Sequence, residues 1–191
     1  MIFFFTVRNH SGGARDPAFP PERRDMNRLT VAEAQKLASP APFALLSVKR
    51  EDGKTNLMAL SWWSFLSNHP PMLGVCLSKK GLSGSLIEKN GEFALSLVGP
   101  ALKDSAFRCG CCSGRIVDKA EDFGIPLEDA QAIGAQVVSG SRAVFECRLL
   151  SAAAAGDHVF YIAEIVAAQG DAGVEQLYAF DGYRRLDTLT R

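Results

Sequence analysis

Residues 56–80 read NLMALSWWSFLSNHPPMLGVCLSKK, and this stretch decides the fold. Upstream, FALLSV (residues 43–48) is a short apolar run of strand length. Asp52-Gly53 then supplies a hairpin signal, because both residue types tolerate positive φ. The return strand therefore starts near Thr55 and runs through Ser61 or beyond. Pro70-Pro71 breaks the chain, and MLGVCL (72–77) forms the next strand.

Working outward, further strands follow from apolar runs and alternation. Ser85-x-x-Glu88 predicts a helix start, and Asn90-Gly91 a left-handed stop. FALSLV (93–98) is a strand closed by Gly99-Pro100. Residues 101–135 predict irregular helix and loop, with one helical turn in 117–123. In AVFECRLL (143–150), Phe145, Cys147 and Leu149 point one way and Glu146 and Arg148 the other. VFYIAEIVAA (159–168) is long and β-branched, which predicts a strand buried on most of both faces. A last short strand is expected at 177–180.

Six or seven strands separated by short helices argue against a doubly wound sheet and for an antiparallel barrel. Before them, Thr30-x-x-Glu33 is a capping box opening the helix VAEAQKLA, which Pro40 and Pro42 stop. Residues 1–25 mix Arg with Gly and Pro and lack an apolar period, so they read as a tail ahead of a domain at 26–191. An arm crossing to a partner subunit is the alternative.

The 191 residues carry 21 basic and 21 acidic side chains, a formal net charge of zero. No field of one sign steers the molecule onto nucleic acid or an anionic membrane. No apolar run approaches the roughly 18–20 residues that span a bilayer. The five cysteines form no even-numbered disulfide framework, which points to reduced thiols in a cytoplasmic protein.

Several segments carry chemistry, each with a plainer alternative. Two adjacent tryptophans among recurring serines suit a stacking platform for a planar ligand with a polyol arm; a Trp-rich core is the alternative. SKKGLSGS (78–85) lies between a strand and a helix and suits a phosphate, or else caps a solvated turn. Ser113-Gly114-Arg115 with Asp118-Lys119 reads as a salt-bridged loop or an anion contact. Cys109-Gly110-Cys111-Cys112 invites a metal site or a redox-active thiol pair, but it has no second cysteine pair at zinc spacing, and buried free thiols are its default reading. Gly156-Asp157-His158 puts an imidazole and a carboxylate at the mouth of the long strand, where His158 is either functional or a satisfied structural residue. No Gly-x-Ser-x-Gly elbow or paired catalytic carboxylates stand out.

These segments, in this order, resemble the flavin reductase-like FMN-binding split-barrel family, on the side of its flavoredoxin branch. The similarity runs over about residues 40–186. It rests on PAPFALLSV, EDGKTNLMALSWWSFLSNHPPML, SKKGLSGSLIEKNGEFALSL, CGCCSGRIVDKAEDFGI, FECRLL and GDHVFYIAEIVA. The resemblance implies a mainly β fold: a six-stranded antiparallel split β-barrel of Greek-key type with short helical insertions, in a homodimer.

It also implies FMN as cofactor. Asn56, Met58, Ala59, Leu60, Ser61 and Trp62 would face the isoalloxazine and ribityl chain, with Ser67 where the family often carries serine. Ser78, Lys79, Lys80 and Ser83 fall in the phosphate loop, and Arg115 and Lys119 in the Ser-Gly-Arg and Asp-Lys motif. His158 matches a Gly-Asp-His motif tied to the nicotinamide substrate. Ala59 stands where threonine is common and Gly81 where arginine is common.

The implied activity is an oxidoreductase passing hydride from NADH or NADPH through flavin to free flavin, a partner protein or another acceptor. A flavin-binding electron carrier without turnover is the alternative. Flavin carries the hydride chemistry itself, consistent with the lack of a strong acid–base constellation. No Gly-x-Gly-x-x-Gly fingerprint is present, so the nicotinamide would bind transiently.

Overall fold

The computed structural model describes residues 27–189. The tail expected at 1–25 lies outside the described residues. In chain order the elements are α1 (Val31–Leu37), β1 (Ala41–Pro42), β2 (Ala44–Lys49), β3 (Thr55–Leu60), β4 (Trp63–Asn68), β5 (Pro71–Ser78), α2 (Leu82–Asn90) and β6 (Glu92–Leu97). They continue as α3 (Lys103–Cys109), α4 (Lys119–Asp122), β7 (Leu127–Asp129), β8 (Gln136–Val138), β9 (Ala143–Ala155), β10 (His158–Gln169), β11 (Tyr178–Phe180) and β12 (Arg185–Asp187).

The main sheet has seven antiparallel strands in the order β3-β2-β6-β9-β10-β5-β4, one more than the six-stranded barrel that the resemblance implies. The extra strand is β4. The chain does not continue β3 past Leu60; it breaks at Ser61-Trp62 and re-enters the sheet at the opposite edge, against β5. The two edge strands are thus consecutive in sequence. Two intervening residues limit the gap from Leu60 to Trp63 to about 10 Å, so the sheet curls until its edges meet. They meet without ladder hydrogen bonds, and the sheet is not a closed barrel.

Two apolar clusters hold the curl. Ala44, Leu46 and Val48 of β2 join Phe93, Leu95, Tyr161 and the α2 residues Leu86 and Ile87 in one. Phe43 and Leu45 point the other way, toward Leu57, Ala106, Ile125, Leu177 and Leu186 in the second. Both faces of β2 are covered, which explains its unbroken apolar run. The β2–β3 hairpin turns at Gly53, at φ +83°, as Asp52-Gly53 predicts.

Three sequence expectations need correction. Helix α2 begins at Leu82 with Gly81 as its cap, one turn ahead of Ser85, whose hydroxyl instead donates to the Leu82 carbonyl at 2.8 Å. Glu146 is buried rather than on a solvated face, because its carboxylate accepts the backbone N–H groups of Gln131 (2.8 Å) and Ala132 (2.6 Å). Strand β10 is paired along both edges but mostly half-buried on its faces. The capping box holds: Thr30 accepts the Glu33 N–H, and Glu33 accepts the Thr30 N–H at 2.8 Å.

Candidate functional site

The site lies where the sheet is split. Ser61 and Trp62, the two residues joining its edges, line a cleft of about 460 Å³ with Met58, Leu60, His158 and Tyr183. A second cleft of about 440 Å³ is lined by Asn56, Lys80, Ser83, Lys119 and the loop from Cys109 to Gly114. Met58, Ala59, Ser78 and Gly110 line both, so the two form one elongated groove.

Strand register assembles the first end. His158 opens β10 directly opposite Ser78 of β5. The Trp62 carbonyl accepts the Cys76 N–H at 2.8 Å, which holds the indole beside that pair. The Trp62 and His158 rings lie 4.9 Å apart between centroids. Nδ1 of His158 is 2.7 Å from the Asp157 carboxylate, and this hydrogen bond holds Asp157 below the usual carboxylate range. The arrangement fixes the ring with Nδ1 engaged. Ser61 Oγ is buried and stands close to the Tyr183 hydroxyl without a hydrogen bond of good geometry. Tyr183 sits at φ +74°, uncommon for a bulky residue, and burial pushes its phenol up to about 12.

The second end is built around buried polar groups. The Asn56 amide donates to Ser83 Oγ at 2.9 Å. Gly114 packs so closely that a Cβ there would stand 1.9 Å from Asn56 Oδ1. Lys119 is buried, its Nζ donating to the Cys109 carbonyl at 2.6 Å. Burial pushes its ammonium below the ordinary lysine value, with the nearby thiols acting in the opposite direction. An ammonium with one neutral acceptor has donors to spare for an anion.

The groove therefore gathers Asn56, Met58, Ala59, Leu60, Ser61, Trp62, Ser78, Lys80, Ser83, Lys119 and His158. It does not gather Ser67, Lys79 or Arg115. Ser67 sits opposite Met72 on β4. Lys79 Nζ donates to the Gly156 carbonyl at 2.7 Å, bracing the β9–β10 turn. Arg115 is exposed in a neighbouring groove with Arg50 and Lys89. The expected salt bridge in this loop joins Asp118 to Lys54 at 2.7 Å instead.

Sequence reading missed Tyr183, and it singled out the cysteine loop without placing it at the groove. The Asp181-Gly182 turn signal was available but gave no direction toward the cleft. Cys109 and Cys112 stand at C-x-x-C spacing, which the free-thiol reading passes over. Among the described residues, no cluster of His, Cys, Asp and Glu is arranged to hold a metal ion. No helix among them is long and apolar enough to cross a membrane.

A curled antiparallel sheet with an elongated groove at its split defines the class. The flavin reductase like domain matches residues 37–187, and the chain belongs to this family, with flavoredoxins among its structural relatives. Protein YddH of Escherichia coli K12 is 32% identical over 166 residues, covering 84% of this chain and 87% of that one. The NADH-dependent flavin reductase StyB of Pseudomonas fluorescens is 33% identical over 125 residues, covering 65% of this chain and 68% of that one. The flavoredoxin of Methanosarcina acetivorans superposes with a TM-score of 0.72 at 25% identity, covering 80% of this chain and 86% of that one.

Proposed function

We propose that the chain binds FMN along the groove and passes reducing equivalents from NADH or NADPH through it to free flavin or another acceptor. One observation carries the reading. A single groove has two hydroxyl-bearing residues, Ser61 and Tyr183, at one end and a buried ammonium, Lys119, at the other. That polarity suits a planar heterocycle joined through a polyol to a phosphate. When bound, flavin supplies the hydride chemistry.

The protein's own residues bind and orient. Met58, Ala59 and Leu60 offer strand backbone and apolar contact to the ring system, and Ser61 an additional hydroxyl. Ser83, Lys80 and Lys119 hold the phosphate, with the start of α2 adding backbone N–H groups. His158, braced by Asp157, presents Nε2 to the nicotinamide carboxamide. The FMN reductase (NADH) RutF 2 of Methylorubrum extorquens, 30% identical over 143 residues, supports the same cofactor pair.

The working unit is a homodimer in the cytoplasm. Trp62, Phe65 and Leu66 are 50%, 55% and 43% exposed at the β4 edge, beside the half-buried faces of β10. An apolar edge of this kind is ordinarily covered by a partner. The electron-carrier alternative draws on the phosphate end, where Lys79 and Arg115 stand outside the groove and Gly81 adds no charge.

An absorption titration tests the proposal. FMN added to the purified protein should bind stoichiometrically, and anaerobic NADH or NADPH should bleach the flavin band near ~450 nm within seconds. A bound flavin that neither nicotinamide bleaches would select the carrier. No uptake of FMN would end both readings.

A further inference from the structure

The wall of the phosphate end carries three thiols that flavin binding does not use. Cys109 ends α3 and is buried, Cys111 is exposed and Cys112 half-buried, and all three line the groove. The helical path continues beyond Cys109. Gly110 has φ −78° and ψ −17°, and the Cys111 N–H donates to the Arg108 carbonyl at 3.0 Å. Cys111 Sγ and Cys112 Sγ then turn back onto the carbonyls of Phe107 (3.5 Å) and Arg108 (3.6 Å), each four residues earlier. Residues three apart on such a turn have Cβ atoms about 5–6 Å apart. A modest closure of the turn brings two sulfurs into bonding range.

We infer that Cys109 and Cys112 form a peroxide-sensitive dithiol whose oxidation to a disulfide closes the phosphate end of the groove. Cys112 is the attacking thiol because it is half-buried and reached from the groove, whereas Cys109 is buried. Its sulfur attacks hydrogen peroxide, the O–O bond breaks, and one water leaves with a sulfenic acid on Cys112. Cys109 sulfur displaces the sulfenic oxygen, forming the S–S bond and releasing a second water. Two thiols lose two electrons and two protons, and one peroxide becomes two waters. Cys109 suits the resolving role because it is buried and stands three residues from Cys112 in the same wall of the groove.

The bond would act on the groove through its neighbours. Lys119 is anchored on the Cys109 carbonyl, and Gly110 lines both halves of the groove. Drawing Cys112 toward Cys109 moves the loop that carries Gly114 against Asn56. The coupling to cofactor rests on the FMN reading; the disulfide itself does not.

The test uses the full chain, reduced and then treated with hydrogen peroxide. Mass spectrometry should find a loss of about 2 Da and a link between Cys109 and Cys112 that dithiothreitol reverses. The Cys111→Ser variant should still form it, and Cys112→Ser should not. FMN affinity, read by flavin fluorescence, should fall about tenfold on oxidation and recover on reduction. A link through Cys111, or over-oxidation without any link, overturns the assignment. A Cys109–Cys112 link that leaves FMN affinity unchanged overturns the closure. If the reduced protein takes up no FMN, the flavin reading and the closure fall together, while the link is still decided by mass.

Discussion

The Trp62 indole lies against the His158 imidazole with centroids 4.9 Å apart and ring planes inclined by 38°. Trp62 belongs to the link between the two sheet edges and His158 opens β10 beside it, and the Asp157 contact on Nδ1 leaves Nε2 as the free ring nitrogen. His158→Ala should therefore slow flavin reduction by NADH or NADPH by about 10- to 100-fold. FMN should remain bound, since Ser61 and the phosphate end are untouched. Stopped-flow absorbance on the anaerobic loaded protein measures this. An unchanged rate would remove His158 from the reaction.

Gly114 sets a second test. A methyl group at this position would stand 1.9 Å from Asn56 Oδ1, and Asn56 is fixed by its bond to Ser83. Gly114→Ala should cost about 2 kcal/mol, or roughly 4–8 °C in Tm. Weaker FMN binding should accompany the loss. Adding Asn56→Ala to Gly114→Ala should recover much of the stability but not the affinity. Equal melting of Gly114→Ala and the parent would show that the loop yields freely.

Much of this site was legible in the sequence for a physical reason. Strand pairing converts an apolar period into position, so Met58–Ser61, Ser78 and His158 fall together once their strands are recognised. Side chains whose direction depends on distant packing were not legible. Lys79 and Lys80 are adjacent, yet one braces a turn while the other lines the groove. Arg115 looked equivalent to Lys119, but only Lys119 is drawn inside, because α4 starts there with Asp118 as its cap. Glu146 alternated as a surface residue should, and only the return of the 131–132 backbone onto it made it buried. Strand β4 was hidden because a two-residue break at Ser61-Trp62 leaves no turn signature.

The exposed edge predicts an assembly. Phe65 is 55% exposed while its ring packs edge-on against Phe145, 5.3 Å between centroids. Phe65→Asp should weaken self-association by at least about a hundredfold. Light scattering coupled to size-exclusion chromatography should then find a monomer where the parent runs as a dimer. A parent that is itself monomeric at micromolar concentration would refute the homodimer.

Lys119 makes the groove sensitive to pH. Burial holds its ammonium below the ordinary lysine value of 10.5. Between the folded and ordinary values the unfolded chain binds more protons than the folded one, so stability rises with pH across that window. A bound phosphate acts in reverse: it favours the charged ammonium, so binding takes up a proton and FMN affinity falls as pH rises through the folded value. Lys119→Met should flatten both profiles and lower FMN affinity about tenfold near neutral pH. Thermal melts and FMN titrations from neutral pH toward 10.5 read the two slopes independently. If Lys119→Met keeps the parent's alkaline loss of FMN, another cation holds the phosphate, and Lys80, the remaining ammonium in the groove, becomes the residue to replace.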